Sequence, residues 1–219
     1  MQLHWGGAQF AALAERALWW PAEHTLMVAD VHVGKAQSFR RLGVPVPQGT
    51  TDDSLSRLSL LLGATQAQRL VVLGDWSHSA RGLSAAQRDA VRHWRERHAR
   101  LDWHLIEGNH DAGTGPLPAD WRLQVHAGRW QIGPLTLCHE PVDLPGQFVV
   151  AGHSHPCVHV GSGIDRLRLP CFHFRPHCAV LPAFGAFTGM HAIRRAPGDR
   201  VVVVVDGTAR ELPEYTPRP

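Results

Sequence analysis

Five short apolar runs in this chain are each followed at once by polar residues of similar chemistry. Thr25 to Ala29 leads into Asp30-Val31-His32, Leu70 to Leu73 into Gly74-Asp75, and Trp103 to Ile106 into Gly108-Asn109-His110-Asp111. Leu135 to Leu137 leads into Cys138-His139-Glu140, and Phe148 to Ala151 into Gly152-His153-Ser154-His155. Short continuous apolar runs read as strands buried on both faces. Between the first three runs the period changes. Asp52 to Leu62 carries Leu55, Leu58, Leu61 and Leu62 at helical spacing, and Ser84 with Gln87 forms a capping-box pattern that opens a helix to about Arg100. Further on, Trp121 to Val125, Trp130 to Ile132, Leu135 to His139, Phe148 to His153, Leu167 to Phe174 and Val201 to Val205 read as strands, with turns at Gly133-Pro134 and Asp206-Gly207. A strand-helix half followed by a strand-rich half predicts an α/β fold of two packed sheets with helices outside.

The chain of 219 residues is expected to form one domain, residues 1–219, with 44% hydrophobic residues to build a core. It has no apolar run of about 18 residues to span a membrane, and Met1-Gln2-Leu3-His4-Trp5 does not read as a secretory leader, so the expected address is the cytoplasm. Cys138, Cys157, Cys171 and Cys178 form no C-x-x-C pair; reduced, half-buried strand positions are expected there rather than a zinc site with His173 and His177. The net charge of +3 is weak evidence for nucleic acid, and Lys35 is the only lysine beside many arginines. Arg88, Arg92, Arg95 and Arg97 form a helix face interspersed with Asp89 and Glu96, read as solvated.

The chemistry lies in the polar residues after the runs. Asp30, His32, Asp75, Asn109, His139, His153 and His155 mix oxygen donors with imidazoles, a set that suits Mn²⁺, Fe or Zn²⁺ better than Mg²⁺ or Ca²⁺. Strand ends converge on one sheet edge, so the residues can meet. Two cations about 4 Å apart clamp the attacking and leaving oxygens of a phosphoryl displacement. They need a bridging carboxylate, for which Asp75 is the candidate. Asp30 and His32 lie two apart and would share a face if the strand continued through them, as would His153 and His155. His110 adjoins Asn109, points elsewhere, and is a candidate general acid for the leaving oxygen or cation for transition-state charge; Asp111 could accept its ring N–H. The expected nucleophile is a metal-bound hydroxide.

With these residues in this order, the chain resembles the calcineurin-like metallophosphoesterase superfamily, whose pattern is D-x-H, G-D, G-N-H-[DE], H and G-H-x-H. The resemblance implies a four-layer αββα sandwich, two mixed sheets flanked by helices. It implies one metal on Asp30, His32, Asp75 and His155, a second on Asp75, Asn109, His139 and His153, and His110 as the catalytic histidine. A narrower resemblance, to the bacterial ligase-associated DNA-damage-response phosphoesterases (the PdeM-like endonucleases), rests on longer strings. These are Arg16-Ala-Leu-Trp-Trp-Pro21, Val28-Ala-Asp-Val-His-Val-Gly-Lys-Ala36, Gly43-Val-Pro-Val-Pro47, Leu137-Cys-His-Glu-Pro141, Arg166-Leu-Arg-Leu-Pro-Cys-Phe172 and Leu181-Pro-Ala-Phe-Gly-Ala-Phe-Thr-Gly189. It implies a manganese-dependent endonuclease on single-stranded DNA, in a repair cluster with an ATP-dependent DNA ligase, a helicase and an exonuclease as possible partners. Where that family commonly has G-D-F-L-H, this chain has Gly74-Asp-Trp-Ser-His78. His78 resembles a phosphate-contacting histidine of the superfamily's nucleases. Arg40, Arg41, Arg81 and Arg175 are looser phosphate-contact candidates, and Trp76, Phe172, Phe184 and Phe187 are candidate stacking surfaces, with core packing the competing role for the three Phe.

Two other functions stay open at this point. One is a phosphatase or cyclic-nucleotide phosphodiesterase for small molecules, disfavoured because no large cap insertion separates the motifs. The other is a non-catalytic subunit of a ligase or helicase complex, disfavoured because the ligand set is complete.

Overall fold

The computed structural model describes residues 1–46, 49–78, 83–113, 115–161, 166–186 and 188–215, and no helix among them is long and apolar enough to cross a membrane. Two mixed sheets pack face to face. The first runs β1 (Gln2–Trp5), β2 (Ala8–Ala12), β3 (Leu18–Trp20), β4 (Thr25–Val28), β5 (Arg69–Leu73), β6 (Asp102–Ile106) and β7 (Gln124–His126) in spatial as well as chain order. Antiparallel pairing joins β1 to β4; from β4 onward each pair is parallel. Parallel neighbours need a crossover, which α1 (Lys35–Arg41) and α2 (Thr50–Thr65) supply between β4 and β5, and α3 (Ala85–Arg97) between β5 and β6.

The apolar runs are continuous because each strand is covered twice. Leu26, Val28, Leu70, Val72, Trp103 and Leu105 face the helices, while Met27, Val71, Leu73 and Ile106 face the second sheet, the period of two that a strand imposes. Leu55, Leu58, Leu61 and Leu62 of α2 and Val91 and Trp94 of α3 close the helix side. The Ser84–Gln87 capping box forms as read, and α3 ends at Arg97 rather than Arg100. On its polar face Arg92 pairs with Asp89 at 3.0 Å and Glu96 at 3.7 Å. Arg95 is not solvated: it is buried, and its Nε donates to the Trp121 carbonyl at 2.8 Å.

Residues 121–125 depart from the strand that their pattern predicts. Ala119–Trp121 is a 3-10 turn behind Pro118, Arg122 turns the chain in the left-handed region, and β7 begins only at Gln124. The Trp121 ring decides this, because it packs into the helix-side core, 6.2 Å from Trp103 and stacked on it. Trp76 and Trp94 sit edge-on to the same Trp103 ring at 5.1 and 5.3 Å. Trp76 directly follows Asp75, so this aromatic cluster anchors the turn that carries the aspartate.

The second sheet holds β8 (Arg129–Ile132), β9 (Leu135–Cys138), β10 (Phe148–Ala151), β11 (Pro156–Val160), β12 (Leu167–Phe174), β13 (Cys178–Val180), β14 (His191–Ala192), β15 (Arg200–Val205) and β16 (Thr208–Glu211), with β9, β10 and β13 parallel. Leu137, Val150, Phe172, Phe174 and Val202 meet the first sheet in the sandwich core. Among the described residues no helix lies on the outer face; Val142 and Leu144 of the 141–147 loop cover Cys138, Val149 and Cys178 there. All four cysteines are buried and unpaired, and burial pushes the Cys138 and Cys171 thiols up to about 12.

Leu58 is fully buried between α2 and the sheet. Leu58→Ala should lower the unfolding free energy by about 2–5 kcal/mol, and Ser84→Ala, which opens only the capping box, by about 1 kcal/mol, both read from denaturant midpoints.

Candidate metal centre

The parallel strands β4, β5 and β6 of one sheet, and β9 and β10 of the other, end at the same edge of the sandwich. Beyond these ends the backbone leaves the strand conformation. Asp30, His32, Asp75, His153 and His155 all have positive φ, between 45° and 66°. Asp30 and His32 therefore converge through two left-handed turns and not through strand alternation, which corrects the shared-face expectation; the same holds for His153 and His155. Aspartate and histidine are among the non-glycine residues that tolerate this region. The 30–33 segment runs beside 74–78: the Asp30 N–H donates to the Gly74 carbonyl, His32 to Asp75 and Val33 to Trp76 at 3.2, 2.9 and 2.7 Å. On its other side, Phe184 and Gly185 donate to the carbonyls of Ala29 and Asp30 at 2.8 and 3.1 Å.

Two glycines make room. A Cβ on Gly74 would sit 1.9 Å from His139 Nδ1, and a Cβ on Gly185 would sit 2.3 Å from the Val31 carbonyl oxygen.

The side chains fall into two groups joined by Asp75. On one side, His155 Nε2 lies 3.5 Å from Asp30 Oδ1 and 3.5 Å from His32 Nε2, and His32 Nε2 lies 3.9 Å from Asp75 Oδ2. On the other, His139 Nε2 lies 2.7 Å from Asn109 Oδ1, 3.0 Å from His153 Nδ1 and 3.6 Å from Asp75 Oδ1. Backbone carbonyls set two tautomers. His139 Nδ1 donates to the Leu73 carbonyl at 3.0 Å and His155 Nδ1 to that of Gly189 at 2.9 Å, so each Nε2 turns a lone pair toward the centre. Asp30 is fully buried, and its Oδ1 has no hydrogen-bond donor. A buried carboxylate oxygen without a donor, beside imidazole lone pairs, is costly alone and is satisfied by a cation. The residues present fit divalent metals.

Over this centre sit His78 and His110, their rings 5.3 Å apart and each 5.3–5.5 Å from His32. The His110 N–H donates to Asp75 Oδ1 at 3.0 Å, and its Nε2 lies 3.9 Å from Asp75 Oδ2 on a half-exposed side chain. Burial first, then the charges of Lys35 and the neighbouring imidazoles, lowers His32 to about 2; burial, Lys35 and His110 lower His78 to about 4. Both rings are neutral at pH 7, the state in which an imidazole binds a metal or accepts a proton. The half-buried Lys35 ammonium, itself lowered chiefly by burial, interacts with Asp30 and Asp75.

Asp111 does something other than hold the His110 ring. Its carboxylate accepts from the backbone N–H groups of Trp76, Ser77 and Gly108 at 3.3, 3.0 and 3.1 Å and from the Ser77 hydroxyl at 3.3 Å. Burial pushes its carboxyl up and these backbone bonds oppose the rise. It is a positioning residue that braces the Asp75 turn against the Asn109 loop. Ser77, the departure from G-D-F-L-H, is fully buried and part of that brace.

The remaining candidates scatter. Trp76, Phe172 and Phe184 are fully buried, so none offers a stacking face; Phe184 lies under the Arg57 guanidinium at 4.1 Å. Arg175 pairs with Asp143 at 3.3 Å. Arg40 is exposed on α1. Arg81, Phe187 and the side chain of Arg41 lie outside the described residues. Lys35 and the 183–185 segment are not among the site residues that the sequence singles out. Lys35 has a signal as the only lysine, three residues past His32, whereas the support that Arg57 and Arg16 give to the carbonyls of Phe184 and Ala183 at 3.0 and 3.3 Å has none.

No protein-family model and no curated protein matches the chain. Among solved structures it is similar to the Pseudomonas putida nuclease MPE, at 37% identity and a TM-score of 0.86, over 97% of this chain and 99% of that one. The phosphoesterase Yfce from E. coli follows at 16% identity and a TM-score of 0.45, over 86% of this chain and 97% of that one. An Entamoeba histolytica Vps29 double mutant stands at 15% and 0.34, over 88% and 99%.

If Asp111 is a brace, Asp111→Asn puts an amide where backbone N–H groups converge. Metal affinity, read by calorimetric titration of the metal-free protein, should fall about 10–100-fold.

Proposed function

The chain belongs to the calcineurin-like metallophosphoesterase superfamily together with the nuclease MPE of Pseudomonas putida, and from that premise we propose that this metal-dependent phosphoesterase is an endonuclease for single-stranded DNA, with Mn²⁺ as its metal. The observation that carries the reading is the likeness to that nuclease at 37% identity over 97% of this chain and 99% of that one, and the described segments between the β4, β5 and β6 ligand turns hold only α1, α2 and α3. A further support is the surface beside His78. The Phe39 ring lies 6.2 Å from it, and Leu42 and Val44, 78% and 44% exposed, follow at the end of α1. Exposed apolar side chains suit the free base faces of an unpaired strand, which a duplex hides.

In this reading Asp30, His32, His155 and Asp75 would hold one cation, and Asp75, Asn109, His139 and His153 the other. Bound there, the cations would supply Lewis acidity and a water of lowered pKa. The mixed oxygen and imidazole donors suit Mn²⁺, Fe and Zn²⁺ alike, and Mn²⁺ is chosen among them on the subfamily resemblance. His110, half-exposed above Asp75, donates a proton to the leaving oxygen. His78, neutral at pH 7, offers the phosphate a hydrogen bond and no charge. A setting in DNA repair, in the cytoplasm beside an ATP-dependent ligase, a helicase and an exonuclease, is supported by the subfamily resemblance.

The test is metal-stripped protein resupplied with Mn²⁺ and given circular single-stranded DNA and p-nitrophenyl phosphate in parallel. A circle has no end, so its cutting, lost in Asp75→Ala, would establish the endonuclease; hydrolysis of the small ester alone would replace it with a small-molecule phosphatase. His110→Ala should lower kcat on the circle by about 10²- to 10⁴-fold with metal content retained.

A further inference from the structure

A cavity of about 520 Å³ adjoins the metal centre, with Asn109 and His139 in its wall. The turn between β7 and β8 brings Arg129 to its rim, and Glu107 and Glu140 line it as well. The Arg129 side chain is exposed and, among the described residues, makes no hydrogen bond or ion pair, even with the two carboxylates lining the same cavity. An unpaired guanidinium suits a phosphate, which it grips with two parallel N–H donors. Carboxylates repel a phosphate but accept from the amino groups of bases. The volume lies within the range of small-ligand pockets.

We propose that this cavity is a nucleotide subsite, taking the nucleotide next to the scissile phosphate, with Arg129 holding the adjoining backbone phosphate and Glu107 and Glu140 facing the base. The inference rests on the endonuclease reading and adds to it the direction in which the strand leaves the centre, past Asn109 toward the β7–β8 turn.

Two variants test it in the Mn²⁺-loaded protein, each checked by thermal melting. Arg129→Ala removes the phosphate contact, and Ala112→Trp fills the cavity from its wall. Arg129→Ala should lower kcat/KM on single-stranded DNA about tenfold more than on bis(p-nitrophenyl) phosphate, which has no adjoining phosphate for the guanidinium to hold, and Ala112→Trp should lower it on single-stranded DNA by a similar factor. Arg129→Ala should also flatten the dependence of log kcat/KM on log salt concentration by about 0.7, the share of one phosphate contact on a single strand. Equal effects of Arg129→Ala on both substrates, or an unchanged salt slope, would overturn the subsite while leaving the endonuclease standing. Wild-type protein that hydrolyses the small diester and leaves single-stranded DNA intact would remove the endonuclease and the subsite together.

Discussion

Everything at the metal centre depends on how closely two turns from different sheets approach. The Leu73–Asp75 turn and the His139 ring are in contact, with no space for a side chain at Gly74. That contact lets the Leu73 carbonyl accept a hydrogen bond from His139 Nδ1, and it places His139 Nε2 beside Asp75, Asn109 and His153. A displacement of an ångström at this junction would break the approach of His139 to Asp75, Asn109 and His153.

Holding the turns there is costly locally. Five of the centre's residues sit in the left-handed backbone region, at about 1 kcal/mol or more each, and acceptor atoms face one another without donors between them. The scaffold offsets this from three sides. The tryptophans around Trp103 hold Trp76 and so the Asp75 turn. Asp111 ties that turn to the Asn109 loop, and the 183–185 segment, carried over from the second sheet and supported by Arg57 and Arg16, pairs with the Asp30 backbone. Bound cations would complete the compensation by satisfying the acceptors, so metal binding and the stability of this edge are coupled.

The site is also asymmetric in a way that bears on its substrate. His78 and Lys35 lie by His32, while a cavity with an arginine and two glutamates adjoins Asn109 and His139. In the proposed reading, a strand crossing the centre would meet different chemistry on its two sides.

Much of this was legible in the chain itself. Doubly buried strands leave continuous apolar runs and helices leave a 3.6 period, so the two sheets, α2 and α3 were legible, as were the polar residues after the runs that meet at this edge. The short strands of the N-terminal hairpins and α1 have too little periodicity to show. Trp121 reads as a strand residue until the ring packing against Trp103 is known. The left-handed turns at Asp30, His32, His153 and His155 leave no pattern, because the sequence D-x-H is the same on either backbone. Asp111 reads as the partner of its neighbour His110, and only tertiary structure shows its carboxylate turned to the 76–77 backbone. Residue types are local information and are written in the chain; which backbone groups reach those side chains is set by long-range packing, and that was decided only when the two sheets closed on each other.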